Sequence, residues 1–450
     1  MRIGLEIHVQ LPTRSKMFCS CPTTGADAPN THVCPTCLGM PGSRPSLNGK
    51  ALELGLTIAK MLKCEIPKTT WFSRKTYFYP DLCKHFQITQ YDTPIGEKGV
   101  YHLGKKPIRI TRVHLEEDPG KIKRVGDGSS LVDYNRSGVP LVEIVTEPDI
   151  SSPAEARQFL SELLTEIRYT IDLPEDGERS VRCDCNISVG TERCEVKNVT
   201  GLKNVERCLT FEAVRQTKLL KAGRTIERET RHFDEERKVT MPARKKEYEA
   251  DYGYIGEPDL GIFHIARIAE NIKLRESPLN MASRFQSEYG LDERTAKQIV
   301  TTSMKLAELF EELIKVSDVQ TAKTWITGGI SAYWKGFEPS AEEKKKDLIS
   351  IISDFHTERI TDTECNIRIR SLMTGEGQKE MTDSTADLDR LIDAFIDENP
   401  SVVADYRKND RAANRIIGSV MKQTGGRYSS ADIVDATRRL MDARSQRSDA

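Results

Sequence analysis

The sequence is written in two periods, and the change between them limits what it can fold into more than any single motif does. From Met1 to about Glu276, short runs alternate apolar and polar residues between Gly, Pro, Asn and Asp, as strands and turns do. Beyond Ser277, apolar residues recur at helical spacing, with Ala296, Ile299, Val300 and Met304 followed by Leu306, Leu309, Phe310 and Leu313. The boundary falls near residues 275–278, with weaker junctions at 374–389 and 398–406. The predicted domains are therefore 1–276, 277–400 and 401–450. One helix stands out in the first part. Ser152 suits an N-cap, Pro153 the first helical position, and Ala156, Phe159, Leu160, Leu163, Leu164 and Ile167 share a face.

At 450 residues the chain is long enough for two or three domains with cores of their own. Charged residues reach 30% yet cancel to a net charge of -1, so the chain as a whole has no basic signature of nucleic-acid binding. The start, MRIGLEIHVQL, lacks the apolar core of a signal peptide, and no stretch approaches eighteen uninterrupted apolar residues. These features predict a cytoplasmic protein with no membrane partner. An odd number of cysteines, 11, in such a chain argues against a disulfide framework.

Four of those cysteines form a pair of pairs. Cys19 and Cys21 are followed, after a twelve-residue gap, by Cys34 and Cys37. Zinc takes four soft ligands in a tetrahedron, and two short cysteine pairs joined by a loop supply them. The intervening loop is rich in turn formers, including Pro22, Gly25, Pro29 and Asn30, and a metal clip would order it. A redox device and a set of unligated thiols are the alternatives; the first needs a lone C-x-x-C at a strand-to-helix turn, which this context does not offer. A metal knuckle names no function, because binders and enzymes both use them.

The polar faces of the strands say more. In RIGLEIHVQL, the apolar Ile3, Leu5, Ile7, Val9 and Leu11 force Glu6, His8 and Gln10 onto the other face. The same arithmetic sets Asp184 beside Asn186 in SVRCDCNISV and Glu195 beside Lys197 in RCEVKNV. Each pair alone is compatible with an ordinary wet strand face. PLVEIVTEPDI is different. Leu141, Val142, Ile144 and Val145 are apolar on both faces, so Glu143 lies inside a doubly covered strand, and a buried carboxylate needs a cation or several donors. Glu116, Glu117 and Asp118 add adjacent carboxylates at a strand end. A divalent cation shared by His8 and several glutamates would satisfy them together, and hard oxygen ligands favour magnesium. Magnesium held this way usually serves a nucleotide phosphate. No Walker-type or kinase-type glycine-rich loop is present, so a nucleotide needs another cradle.

Six segments in order, IGLEIHVQL, SRKTYFYPDLCKHFQITQYDTPIG, TRVHLEEDPGK, DYNRSGVPLVEIVTEPDI, RCDCNIS and EVKN, resemble the B-subunit family of the glutamine-dependent aspartyl/glutamyl-tRNA amidotransferase. The likeness runs from Ile3 to about Pro258 and resumes through the helical part to GSVMKQTGGR at residues 418–427. It implies an α+β cradle domain on an antiparallel sheet, akin to glutamine synthetase, then a helical domain and a YqeY-type tail that reach tRNA. The implied reaction is ATP- and magnesium-dependent phosphorylation of the Asp or Glu carboxylate misattached to tRNA, followed by displacement of phosphate by ammonia. The family's metal and catalytic residues would fall on Glu6, His8, Glu117, Glu143 and Glu195, with Glu116, Asp184 and Lys197 close by. Lys75, Tyr77 and Tyr79 of KTYFYP would line the nucleotide site, the alternative being an aromatic core strand.

The resemblance also accounts for the cysteines, because some family members carry a zinc knuckle of structural use beside the cradle. It implies an amidase-family A subunit that hydrolyses glutamine and a small C subunit as partners, since this chain has no glutaminase signature. An archaeal E-type relative carries an extra insertion for which 450 residues leave no space, which favours the B type. Cys83, where many members have Pro, has no assigned role. Two rivals remain: a carboxylate–amine ligase acting on a small free acid, and a zinc-ribbon nucleic-acid module without chemistry.

Overall fold

The computed structural model describes residues 1–126, 128–173, 181–243, 253–375, 385–406, 409, 412–424, 428 and 430–447. The chain divides into two units, Met1–Ser277 and Pro278–Ala450.

The first unit carries strands β1 (Arg2–Gln10), β2 (Thr69–Trp71), β3 (Ser73–Thr76), β4 (Phe86–Thr89), β5 (Gly96–Leu103), β6 (Lys106–Glu117), β7 (Lys121–Arg124), β8 (Ser130–Asp133), β9 (Pro140–Thr146), β10 (Val181–Ser188), β11 (Cys194–Thr200), β12 (Glu229–Asp234), β13 (Val239–Pro242), β14 (Gly253–Gly256) and β15 (Ile262–His264). Among the described residues, eleven of these make one sheet in the order β13-β12-β11-β10-β1-β9-β6-β4-β3-β14, with β5 also paired to β6. Its neighbours run antiparallel except β11 and β12, which are parallel. The first strand of the chain thus lies mid-sheet, between strands that begin about 140 and 180 residues later.

Helices α1 (Gly49–Met61), α2 (Pro153–Ile171) and α3 (Leu202–Lys221) pack on the apolar side of this sheet. Ile3, Leu5, Ile7 and Val9 of β1 are all buried in that core, each worth about 1.5–3 kcal/mol by area removed from water. Alternation then commits Glu6, His8 and Gln10 to the opposite side. Helix α2 begins as its sequence predicts. Ser152 is the N-cap, accepting the Glu155 N–H at 3.1 Å, and Pro153 follows it.

Two further long helices escape the period rule. In α1 the residues Leu52, Leu54, Leu56 and Ile58 alternate like a strand, yet all are buried, because the helix is enclosed on several sides. Gly55 is needed there, since a Cβ would meet Ile95 and Leu115 at 2.8 Å. In α3 the buried stripe of Val205, Cys208 and Leu209 continues through Glu212 and Gln216, polar residues that hide the pattern. They are satisfied by Arg215, by Thr240 and by the Val189 N–H.

The second unit is helical: α5 (Pro278–Tyr289) follows the short α4 (Ala266–Asn271) of the first unit, and then come α6 (Glu293–Thr302) and α7 (Met304–Val316). Ser303, with φ -167°, breaks α6 from α7 and caps the latter through the Leu306 N–H. Then come α8 (Val319–Trp325), a π turn (Ile326–Ile330), α9 (Ser331–Phe337), α10 (Ala341–His356), α11 (Asp362–Thr374), α12 (Thr385–Glu398), α13 (Pro400–Tyr406), α14 (Ala413–Thr424) and α15 (Ser430–Arg447). The core of the last four helices joins Leu388, Ile392 and Ile396 of α12 to Val402, Val420, Ile433 and Met441. In this core α12 buries its apolar stripe against α13, α14 and α15. No helix among the described residues is long and apolar enough to cross a membrane.

Candidate active site

Strand register brings the polar side chains into rows. His114 of β6 pairs with Glu143 of β9, Glu143 with His8 of β1, and His8 with Arg182 of β10. Further along, Glu6 of β1 pairs with Asp184 of β10, and in the row beyond it Asn186 of β10 pairs with Glu195 of β11. Directly opposed residues share a face, so side chains from β6, β9, β1, β10 and β11 converge on the side away from the core.

Two acidic groups result. In the first, His8 Nε2 donates to Glu143 Oε2 at 3.1 Å and lies 3.8 Å from Glu116, while His114 Nε2 lies 3.5 Å from Glu143 and 3.9 Å from Glu116. Burial alone would depress the His8 imidazolium, but the hydrogen bond and charge of Glu143, with Glu116 and Asp184, push it up to about 9. His114 has less compensation, and burial pushes it down to about 4. Burial and the Glu143 charge raise Glu116 to about 7. Burial opposes ionisation of Glu143 too; His114, His8 and Lys75 outweigh it and hold the carboxyl well below the usual carboxylate range.

The second group contains Glu6, Asp184 and Glu195. Lys197 Nζ lies 3.1 Å from both Asp184 and Glu195, Asn186 donates to Glu6 at 3.0 Å, and the Asn198 N–H donates to Asp184 at 2.7 Å. Burial, then the charges of Glu143 and Asp184, raise the Glu6 carboxyl above its usual value. Ligand atoms of His8, Glu116 and Glu143 lie within 4.8 Å of one another, as do those of Glu6, Asp184 and Glu195. Carboxylates crowded until two of them resist ionisation are a donor set with too little positive charge, which a hard divalent cation would supply.

The expected residues do not all gather here. Glu117 lies on the other pleat of β6, pairs with Lys84 and accepts the Ile88 N–H at 2.9 Å, so Glu116 takes the place beside His8 for which Glu117 was expected. Glu117 and Lys84 line a separate cavity of about 290 Å³ with Arg74, Glu257 and Lys16. Lys75 is near enough to act on Glu116, Glu143 and His114, and its ammonium lies 5.9 Å from the Tyr77 ring centroid. Tyr79 is exposed, as is Phe78, so KTYFYP is not a core strand. His114 was missed. The signal was there, because VHLEE places His114 and Glu116 two apart on one face.

Beside the sheet, Cys19, Cys21, Cys34 and Cys37 offer sulfurs all within 4.8 Å of one another, compared with about 3.8 Å between the corners of a tetrahedron with metal–sulfur bonds of about 2.3 Å. A hydrogen bond from Cys19, aided by the Cys34 N–H and the Lys16 charge, lowers the Cys37 thiol to about 5, which suits a metal ligand. Lys16 is fully buried, and its ammonium donates to the carbonyls of His32 at 2.8 Å and Tyr134 at 3.2 Å while lying 3.8 Å from Cys37 Sγ. Cys83 donates to the Cys37 carbonyl at 2.9 Å and so borders the knuckle without joining it.

This geometry defines a protein with a metal-competent acidic sheet face, and two family models match it: one described as the GatB/GatE catalytic domain over residues 1–270, the other as the GatB domain over residues 308–439. Among similar curated proteins are aspartyl/glutamyl-tRNA(Asn/Gln) amidotransferase B subunits from Methanospirillum hungatei, 41% identical over 98% of both chains, and Methanoregula boonei, 39% identical over 96% of both. That of Haloarcula marismortui is 37% identical over 96% of this chain and 95% of its own. The chain belongs to the B-subunit family of the aspartyl/glutamyl-tRNA amidotransferases.

Proposed function

We propose that this chain activates the side-chain carboxylate of Asp or Glu misattached to tRNA(Asn) or tRNA(Gln) with ATP, and completes the amide with ammonia delivered by a glutaminase partner. The observation that carries this reading is the pair of acidic groups built around His8 and Glu6 on the polar face of one sheet. Glu116, Glu143 and His8 would hold one magnesium, and Glu6, Asp184 and Glu195 a second. Magnesium bound there supplies positive charge against the phosphate oxygens of ATP. The sheet serves as a cradle of the glutamine synthetase type, with Lys75, Tyr77 and Tyr79 toward the nucleotide and Lys197 holding Asp184 and Glu195 in place.

The Cys19, Cys21, Cys34 and Cys37 knuckle holds a structural zinc. The partners are an amidase-family A subunit and a small C subunit, and the helical unit with its YqeY-type tail meets the tRNA. The tail is basic from residue 401 onward. Arg439 and Arg444 pair with Asp389 and Asp393 of α12, while Arg407, Lys408, Arg411 and Arg427 lie outside the described residues.

The test is ATP hydrolysis by the assembled complex with aminoacylated, uncharged and no tRNA, run on Asp-tRNA(Asn) and Glu-tRNA(Gln) side by side. Hydrolysis that requires a misacylated tRNA supports the reading. Hydrolysis driven equally by a free acid would replace it with a small-molecule carboxylate–amine ligase.

A further inference from the structure

The two acidic groups account for Glu6, His8, Asp184 and Glu143 but not for Arg182, which completes their pattern. His8 opposes Arg182 and Glu6 opposes Asp184, so these four side chains occupy the corners of a square on β1 and β10, with both candidate metal groups reaching into it. The β10–β11 register shifts between Cys183 and Cys185, a bulge of the kind that re-aims side chains next to active sites. Arg182 is the guanidinium of the square, beside the His8 imidazole.

Its guanidinium is held from one side. Nη2 donates to Asp118 Oδ1, and among the described residues no other side-chain hydrogen bond engages Arg182. Asp118 is itself fixed. Its side chain is fully buried, accepts from Gln10 Nε2 and lies 3.6 Å from Arg136, whose own N–H groups are spent on the carbonyls of Pro119 and Gly120. Gln10 and Arg136, the partners of Asp118, also line a cavity of about 410 Å³. The arrangement is a rigid anchor and a planar cation oriented on it, with N–H groups left over on the sheet face that carries the two acidic groups. A salt bridge that served stability alone would be expected to use its fork bidentately, as Arg74 does with Glu257 at 2.7 and 2.8 Å.

We propose that Arg182 is a catalytic residue of phosphoryl transfer, donating to the oxygens of the phosphoryl group in flight, with Asp118 as its positioning residue. The inference rests on the proposed activation of a carboxylate by ATP. In that step an oxygen of the substrate carboxylate bonds to the γ-phosphorus while the bond from that phosphorus to the β–γ bridging oxygen breaks. ADP leaves with the electron pair and no proton moves. Charge spreads over the equatorial oxygens in the transition state, and a planar guanidinium is suited to meet two of them.

The test measures misacylated-tRNA-dependent ATP cleavage by the assembled complex, with glutamine hydrolysis by the partner as the control for assembly. R182Q is expected to lower kcat by about a hundredfold to a thousandfold while KM for ATP and for tRNA move less than about threefold. R182K should recover little, because an ammonium cannot reproduce the fork. D118N should lose about tenfold, and the double variant R182Q/D118N should be no better than R182Q alone. The double variant also removes the unpaired buried carboxylate that R182Q leaves, so it decides the matter if R182Q assembles poorly. A double variant with most of its activity restored would show that Arg182 only neutralises Asp118 and would overturn the proposal, as would R182Q with near-normal kcat. Wild-type ATP cleavage indifferent to misacylated tRNA would overturn this inference together with the proposed function. Wild-type dependence with an unaffected R182Q would overturn the inference alone.

Discussion

The two units treat charge in opposite ways. Met1–Ser277 buries Lys16, His114, Glu116, Glu117, Asp118, Glu143, Asp184, Glu195, Glu212, Arg231 and Glu257; among the described residues of Pro278–Ala450, the buried polar side chain is Thr437. A buried charge is costly unless paired, so a unit that keeps so many holds them for a reason other than stability. The helical unit instead carries ion pairs at the surface, such as Lys297–Glu293 at 2.7 Å and Arg390–Asp387 at 3.4 Å, where each is worth little. The unit that bears the electrostatic cost is the one that the catalytic-domain family model matches.

The contrast breaks most easily at the metal groups. H8A and E143Q should each lower amide formation about a thousandfold or more, several kcal/mol of transition-state stabilisation, while glutamine hydrolysis by the partner and tRNA binding stay measurable. Near-normal amidation in both variants would leave the buried charge with a folding role only. Next comes the knuckle. Elemental analysis should find one zinc per chain, and C34S/C37S should release it and lower the unfolding midpoint, because binding free energy of a structural metal is folding free energy. A reduced, chelator-free preparation without zinc would remove the metal from the account.

Smaller effects sharpen the comparison. K16M strands the His32 and Tyr134 carbonyls and should cost about 1–3 kcal/mol in urea unfolding, more than any single surface pair of the helical unit. Deleting residues 385–450 should raise KM for tRNA about tenfold and flatten its dependence on salt, with glutamine hydrolysis untouched. The cut belongs before α12, because ending the chain near 399 would expose Leu388, Ile392 and Ile396. Unchanged affinity and salt slope would assign the tail another task. Least of all, S303A removes the cap of α7 and the acceptor of Trp334 Nε1 at 2.9 Å, and should cost about 1–2 kcal/mol without altering the chemistry.

Much of the sheet face was legible before any fold was known. Alternation in RIGLEIHVQL assigns Glu6 and His8 to one side, and the apolar neighbours of Glu143 mark it as a buried carboxylate. The same rule misreads ALELGLTI, whose alternation belongs to a helix buried on several sides, and it passes over α3, whose stripe runs through Glu212 and Gln216. Periodicity reports how many faces are apolar, and it is silent when a helix is enclosed or when polar residues in its stripe find partners.

By itself, then, the sequence determined the change of period near residue 277, the start of α2 at Ser152, the cysteine pairs, and which face of β1, β10 and β11 is polar. Only the tertiary structure decided which wet faces meet. Glu116 rather than Glu117 stands by His8 because β9 lies between β6 and β1 and pairs His114, Glu143 and His8 in one register. Arg182 faces His8 because β10 closes on the other side of β1. Local alternation depends on bond geometry within a strand, whereas strand order depends on backbone hydrogen bonds between segments more than a hundred residues apart, and no local pattern encodes which segment arrives.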